Sequence, residues 1–529
     1  MTSRREHFAP GAGRAWLPGA LFVLSYALGT PGFDVPGLPF VCLAPFLALT
    51  AGAPSARHAA RRGWIAGTAG SIPLYYWIAY TVAVPGKQGW PLGSLAAFLV
   101  SAYVGAYFSV AGAVARRLSA RYGERGLWAF PLAWVGLELA RSHLFSGFPW
   151  MLLGYSLAGS SVLRQAADIA GVHGLSFLLA ISGVSAYLSV SSMADRAWRR
   201  GIFLALPAAA AALFLFAYGT ASLSAPVPLP PAGPPLRVGI AQGGIDQSAK
   251  WDPANQEKTL EVYEELTLRA RDSGAQVVVW PETAAPFFYG WEARLSRRLD
   301  GIAVRAGVPL IFGAPWYDPS PAGRTFNSVF HMDGRGVVRE RYDKRHLVPF
   351  GEYVPFRKVF SSVRKLTFGE KDFSGGTGPA LFLVAGSRVG ASVCYEAIFP
   401  AILGDGVAEG AEWLVNVTND AWFGDTVAPH QHLAMARLRC VEFRRPMARA
   451  ANSGISAILD ARGDAAASLG LFRRGVLTAD LQPRSGWTVF GKIGDMFAIS
   501  CCIIATLTLI FPLRGSHGIR IAGREDRGA

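Results

Sequence analysis

Gly390-Ala391-Ser392-Val393-Cys394-Tyr395-Glu396 is the stretch on which the reading of this chain turns. Val389 to Val393 is short, apolar and partly β-branched, the pattern of a buried strand, and it breaks just after Cys394 at Tyr395-Glu396. A cysteine within a strand is by default a small hydrophobe, whereas one delivered to a strand end can face a pocket and act as a nucleophile. Two further segments favour the second reading. Val277 to Thr283 is another apolar run, ending in Glu282 directly after Trp280-Pro281; the carboxylate is a candidate general base, or else a helix cap. Tyr342 to Glu352 carries a charged cluster into apolar residues and contains Lys344, a candidate electrostatic stabiliser, or else a solvated surface charge.

In the order Glu282, Lys344, Cys394, each on a strand end or loop, these residues resemble the catalytic triad of the nitrilase superfamily. The flanking stretches narrow the resemblance. Ala241-Gln242-Gly243, Gln247-Ser248-Ala249-Lys250-Trp251, Trp280-Pro281-Glu282, His346 to Glu352, Cys394-Tyr395-Glu396 and Asn419 to Gly424 are similar to the apolipoprotein N-acyltransferase family, as are Gly147-Phe148-Pro149-Trp150 and Gly154-Tyr155-Ser156 nearer the start. The resemblance covers nearly the whole chain, with no departure at the three triad positions. It implies a bacterial inner-membrane enzyme without cofactor or metal, whose nitrilase-like αββα sandwich faces the periplasmic side. It also implies ping-pong transfer of an acyl chain from a membrane phospholipid, through a thioester, to the N-terminal amine of a diacylated lipoprotein.

Composition agrees with a membrane protein that has a sizeable soluble part: 529 residues, 51% hydrophobic and 16% charged, are too apolar and too many for one soluble domain. A net charge of +15 would suit a nucleic-acid binder if the basic residues clustered with aromatics on a soluble face. Many instead sit between hydrophobic runs, as topology signals and lipid-headgroup contacts do. The five cysteines, Cys42, Cys394, Cys440, Cys501 and Cys502, show no paired spacing and no metal motif. His346 has no second ligand at metal spacing, so a loop hydrogen bond is expected of it.

Residues 1–225 carry apolar runs at about 15–30, 35–54, 63–84, 91–115, 127–141, 170–192 and 201–223, seven expected membrane helices. Basic residues precede the first and follow the second, fourth and sixth, while the alternate loops are nearly bare of them. By the positive-inside rule this leaves the following domain outside the cytoplasm. Prolines in the linker 226–235 end the seventh run. Segments of strand and helix pattern alternate over 236–486, the expected catalytic domain. Val489 to Leu513, within 487–513, is an expected eighth membrane helix, and 514–529 a basic cytoplasmic tail. The expected fold is therefore a membrane bundle of about eight helices plus an extracytoplasmic α/β nitrilase-like sandwich, and a monomer is expected.

A thiol needs a base or a neighbouring cation before it attacks a carbonyl. Glu282 supplies the base; Lys344 favours the thiolate and holds the developing oxyanion together with a backbone N–H near Tyr395. By resemblance Glu352 orients the lysine or assists proton transfer; Glu396 either does likewise or is a structural partner. Trp150, Trp251, Trp422 and Phe423 are candidate substrate-binding aromatics. Phe356 and Phe360, at helical spacing among basic residues, read either as core contacts or as an amphipathic lid at the membrane surface. Glu138 and Arg141 lie one turn apart in the fifth apolar run and are expected to pair. Two rival functions share parts of this pattern. A membrane-tethered amidase would use the same triad on a small carbon–nitrogen substrate, and a lipid-binding or transport protein would carry it inert.

Overall fold

A computed structural model of the chain describes residues 16–321, 323–356, 358, 365–366 and 372–511. Phe360 and most of the expected lid lie outside the described residues; Phe356 is among them and exposed.

The first half is helical: α1 (Trp16–Leu28), α2 (Leu38–Val41), α3 (Leu43–Thr50), α4 (Ala56–Tyr75), α5 (Trp77–Ala83), α6 (Trp90–Tyr122), α7 (Phe130–His143), α8 (Ala167–Ala194) and α9 (Trp198–Ser224). Among the described residues, three helical stretches, Trp90–Ser146, Leu163–Ala194 and Trp198–Ser224, are long and apolar enough to cross a membrane. Their outward faces carry exposed Leu, Ile, Val and Phe, the surface expected of helices against lipid. Inside, Phe22, Phe46, Phe108 and Trp134 form an aromatic core, with Phe108 and Trp134 rings 5.3 Å apart edge to face. α4 and α6 approach closely because α4 presents glycine there: a Cβ on Gly67 would fall 2.4 Å from the Phe108 Cβ.

The second half is a four-layer α/β sandwich. β1 (Leu236–Gln242), α10 (Gln256–Asp272), β2 (Val277–Val279), α11 (Ala293–Ala306), β3 (Leu310–Tyr317), β4 (Thr325–Met332) and β5 (Val338–Asp343) build the first sheet and its helices. β6 (Leu381–Val384), β7 (Ser387–Val393), α12 (Pro400–Ala408), β8 (Trp413–Thr418), α13 (Ala428–Phe443), β9 (Met447–Ala451), β10 (Ser456–Leu459), β11 (Ala465–Leu469) and β12 (Gly475–Leu481) follow. One sheet runs β12-β1-β2-β3-β4-β5 and the other β11-β10-β9-β8-β7-β6, with the central β1-β2-β3 and β7-β8-β9 parallel. Alternate residues Val238, Ile240, Val277 and Val279 of one sheet meet Val389, Val393, Val415 and Val417 of the other. The opposite faces pack on α10 and α11 in one case and on α12 and α13 in the other. β5, β9, β11 and β12 were not expected from the sequence, nor were α12 and α13. α14 (Val489–Ile493) and α15 (Met496–Ile510) replace the single helix expected from Val489, because the chain turns at Gly494 with φ +52°.

Charged side chains tie the halves together. Arg444 donates to Asp168 of α8 at 2.6 and 3.0 Å and to the Gln165 side chain at 2.6 Å, all of it buried. Arg439 and Glu442 of α13 pair at 2.8 Å, and Glu442 also accepts from the Val172 backbone at 3.0 Å.

Candidate active site

β7 delivers Cys394 to a strand end, as its sequence pattern predicts. The chain leaves the sheet there with φ +51°, a left-handed conformation that costs a non-glycine residue about 1–3 kcal/mol unless its surroundings fix it. The surroundings do. The Cys394 carbonyl accepts from His432 Nε2 at 3.1 Å and from Asn416 Nδ2 at 3.4 Å, while the Val393 N–H donates to Glu396 at 2.7 Å. Burial and the adjacent Arg449 charge hold the His432 imidazole below its usual pKa. The ring bridges the Cys394 carbonyl at Nε2 and, at Nδ1, the Asp420 carboxylate at 3.0 Å and Arg449 at 3.1 Å.

Two other strand ends converge on the thiol. The segment after β2 carries Glu282, seated against β3 at Gly313: a Cβ there would lie 2.7 Å from the Glu282 Cα and 2.5 Å from the Thr283 N, so only glycine lets the turn approach. Lys344 follows β5, its Nζ 2.8 Å from Glu352 and 3.8 Å from Glu282. Asn327 of β4 divides its amide between the two carboxylates, donating to Glu282 at 2.7 Å and to Glu352 at 3.0 Å. Glu352 also accepts from the Val348 N–H at 2.8 Å. Cys394, Glu282, Asn327, Lys344 and Glu352 are each at least nine-tenths buried.

That burial sets the electrostatics. Desolvation raises the Glu282 pKa, and Glu352 adds to the rise while Lys344 opposes it, so the carboxylate is a stronger base than an exposed one. Desolvation raises Cys394 too, reinforced by the Glu282 charge. The thiol is accordingly protonated at neutral pH and must give its proton up during attack. Burial alone would lower Lys344, but Glu352 and Glu282 outweigh it and keep the ammonium charged. Burial and the Lys344 charge pull His346 down to about 4, and its neutral ring lies 3.9 Å from that of Phe399.

Glu396 has a different surrounding. Its carboxylate accepts from the Tyr342 hydroxyl at 2.9 and 3.0 Å and from the N–H groups of Arg345 at 2.7 Å, His346 at 3.0 Å and Val393 at 2.7 Å. It thus pins the lysine loop to the cysteine turn. Tyr395 points to the bundle: its hydroxyl reaches the Gly147 carbonyl at 3.4 Å and its ring stacks on Trp150 at 6.4 Å. Trp150 is itself buried, donating to Gln431 at 2.7 Å, with Phe423 packed against it and against Trp77. Gln431 and His432 are neighbours on α13, so one residue grips the bundle and the next grips the Cys394 carbonyl.

Trp251 and Trp422 meet elsewhere, on the wall of a cavity of about 550 Å³ between the domain and the end of α5. Tyr80, Val84, Leu366 and Phe472 supply further apolar wall, and Gln247 and Ser248 a polar side. Glu138 and Arg141 do not form the expected ion pair. Glu138 instead accepts from the Leu153 N–H at 2.7 Å and Arg141 donates to the Met151 carbonyl at 3.2 Å, because the non-helical turn at 147–153 leaves backbone groups that the bundle interior must satisfy. Asn327, His432 and Lys250 are site residues that sequence reasoning did not assign. Asn327 lies within an apolar strand, and nothing local marks it out.

Two family models match in succession, the apolipoprotein N-acyltransferase N-terminal domain over residues 19–185 and carbon-nitrogen hydrolase over 237–486. An apolipoprotein N-acyltransferase from Geobacter metallireducens is 38% identical over 506 residues, covering 94% of this chain and 95% of that protein. The chain belongs to the apolipoprotein N-acyltransferase family. A second member, from Methylococcus capsulatus, is 39% identical over 415 residues, covering 77% of this chain and 79% of its own length. Among solved structures, an amidase of the nitrilase superfamily from Nesterenkonia AN1 is similar to 46% of this chain and 91% of its own, at 22% identity and a TM-score of 0.37.

Proposed function

We propose that this member of the apolipoprotein N-acyltransferase family moves an acyl chain from a membrane phospholipid to the N-terminal amine of a lipoprotein's diacylglyceryl-cysteine. The observation that carries the reading is the buried set of Cys394, Glu282 and Lys344 in a chain related over 94% of its length to a protein of that name. Glu282 takes the thiol proton as Cys394 Sγ attacks the ester carbonyl; Lys344 stabilises the oxyanion, helped by a backbone N–H near Tyr395. Collapse of the adduct breaks the ester C–O bond, and Glu282 returns the proton to the departing lysophospholipid oxygen. The amine then attacks the thioester, loses its proton to Glu282 and releases the thiol. Glu352 orients Lys344.

Water must be kept from the thioester if an amine is to win. A site buried among Tyr395, Phe399 and the aromatic wall of the bundle favours that outcome, and the cavity lined by Trp251 and Trp422 is where we place the substrate's approach. Residues 1–225 and 487–513 form the membrane part in this reading, with the linker 226–235 leading to a catalytic domain at 236–486. The chain acts as a monomer in the bacterial cytoplasmic membrane with that domain outside. A unique cysteine placed at Arg196 should then resist impermeant thiol reagents while one at Ala254 labels; the reverse pattern would overturn the orientation.

The direct test incubates purified protein with labelled phospholipid and measures intact mass. The expected result is an acyl adduct on the wild type and none on Cys394→Ala. No adduct on the wild type, together with hydrolysis of a small amide, would favour a tethered amidase instead.

A further inference from the structure

Lys250 is a second lysine buried beside the thiol, and the mechanism above does not use it. It is 1% exposed, donates to the Glu282 carbonyl at 3.1 Å and to the Thr283 hydroxyl at 2.7 Å, and forms no ion pair with a described carboxylate. An ammonium taken out of water without a counter-ion in contact is expensive. A glutamine or a methionine would fill the space without that cost, so the charge itself requires a reason.

Charge balance around the thiol supplies one. The buried groups are two carboxylates, Glu282 and Glu352, and Lys344, which is committed to Glu352 at 2.8 Å. Lys250 is the second cation, and the groups that act on it electrostatically are Glu282 and Cys394. With it these four groups are neutral before reaction, and Asp420, which also acts on the thiol, is paired with Arg449 at 2.8 Å; without it the thiol would have to ionise beside an excess negative charge. Thr283 gives a second reason. It holds φ +47°, a conformation strained for a β-branched residue, and its hydroxyl is one of the two acceptors of the ammonium.

We propose that Lys250 is a positioning residue for acyl-enzyme formation: its ammonium clamps the strained Glu282–Thr283 turn and supplies the cation that keeps Glu282 ionised beside Cys394. This rests on the reading of Glu282 as base and Cys394 as nucleophile. Burial pulls Lys250 down to about 8, so its charge is present at neutral pH. The other charged groups around the pair are Lys344 and Glu352 on the Glu282 side and Asp420 on the Cys394 side.

The test measures single-turnover acyl-enzyme formation from labelled phospholipid across pH in wild type, Lys250→Met and Lys250→Arg, by intact mass. Lys250→Met should slow the reaction about tenfold or more and move its acid limb up by about one pH unit, since Glu282 loses a favourable cation. Lys250→Arg should restore the limb and most of the rate. A slowed Lys250→Met with an unmoved limb and no rescue by arginine makes the residue merely structural and overturns the proposal, as does wild-type behaviour. Should Lys250→Met not fold, Thr283→Val removes one acceptor and is expected to slow the step about threefold or more; wild-type kinetics in it overturns the clamp. Cys394→Ala and Glu282→Gln run in parallel: full acylation in either means that the underlying reading has failed, which is a separate result from any Lys250 outcome.

Discussion

Glu352→Gln perturbs the site at the contact that holds Lys344. The ammonium loses a carboxylate at 2.8 Å but still has Glu282 at 3.8 Å. Coulomb attraction falls inversely with distance, so Glu352 carries about three fifths of the ammonium's attraction to the two carboxylates and the remaining Glu282 contact about two fifths. Of the about 3–5 kcal/mol typical for stranding a buried charge, about 2–3 kcal/mol should therefore appear as lost stability. Catalysis should suffer as well. Lys344 drawn to Glu282 neutralises the base and leaves the oxyanion position, a loss of about a hundredfold, or about 2.7 kcal/mol. The pH profile carries the sign. Glu352 raises the Glu282 pKa by like-charge repulsion, so its removal lowers that pKa and moves the acid limb of acyl-enzyme formation to lower pH. The assay is single-turnover acylation by intact mass from mildly acidic to alkaline pH, with thermal unfolding alongside. A limb that moves upward, or a rate within about threefold of wild type in folded protein, refutes this account of the ion-pair relay.

Gly313→Ala should cost more activity than stability, because the new methyl pushes on the Glu282 backbone rather than into a core; acyl-enzyme formation and unfolding temperature measured together check it. The Cys394 thiol is held protonated, so its alkylation by a small reagent, followed on its own peptide by mass spectrometry, should keep rising beyond pH 9 rather than levelling near the ordinary thiol value of about 8.5. Asp168→Asn strands buried Arg444 and should destabilise by about 3–5 kcal/mol, read as lost thermal stability in detergent, while Asp168→Leu with Arg444→Met should regain most of it.

The residues legible in the sequence are those at which an apolar run stops. Cys394 and Glu282 end such runs, and Lys344 opens one, so a change of pattern marks each. What stayed hidden is buried polarity within elements. Arg449 sits fully buried in the middle of β9, and its partners Asn416 and Asp420 come from another strand and the turn beyond it, so the segment does not read as a core strand. α13 has the mixed composition of a surface helix, yet nearly all of it is buried between domain and bundle. Arg439 and Glu442 pair three residues apart, but Glu442 also takes the Val172 N–H and His432 faces Asp420, tertiary contacts that no local period reveals. The same holds for Glu138 and Arg141, whose spacing suggests each other while both reach backbone groups of a turn, 15 and 10 residues further along the chain.

The adjacency of Gln431 and His432 fixes a height. One side chain is bonded to Trp150 among the helices and the next to the Cys394 carbonyl, so two adjacent residues of one helix join the bundle to the Cys394 turn. A catalytic domain on a loose tether could dip towards its substrates; this one holds its sulfur at a set level, like a hook screwed into a ceiling. Donor and acceptor chains must therefore rise or slide to that level themselves, and any molecule whose ester or amine cannot be presented at that depth is excluded before its chemistry is ever tested.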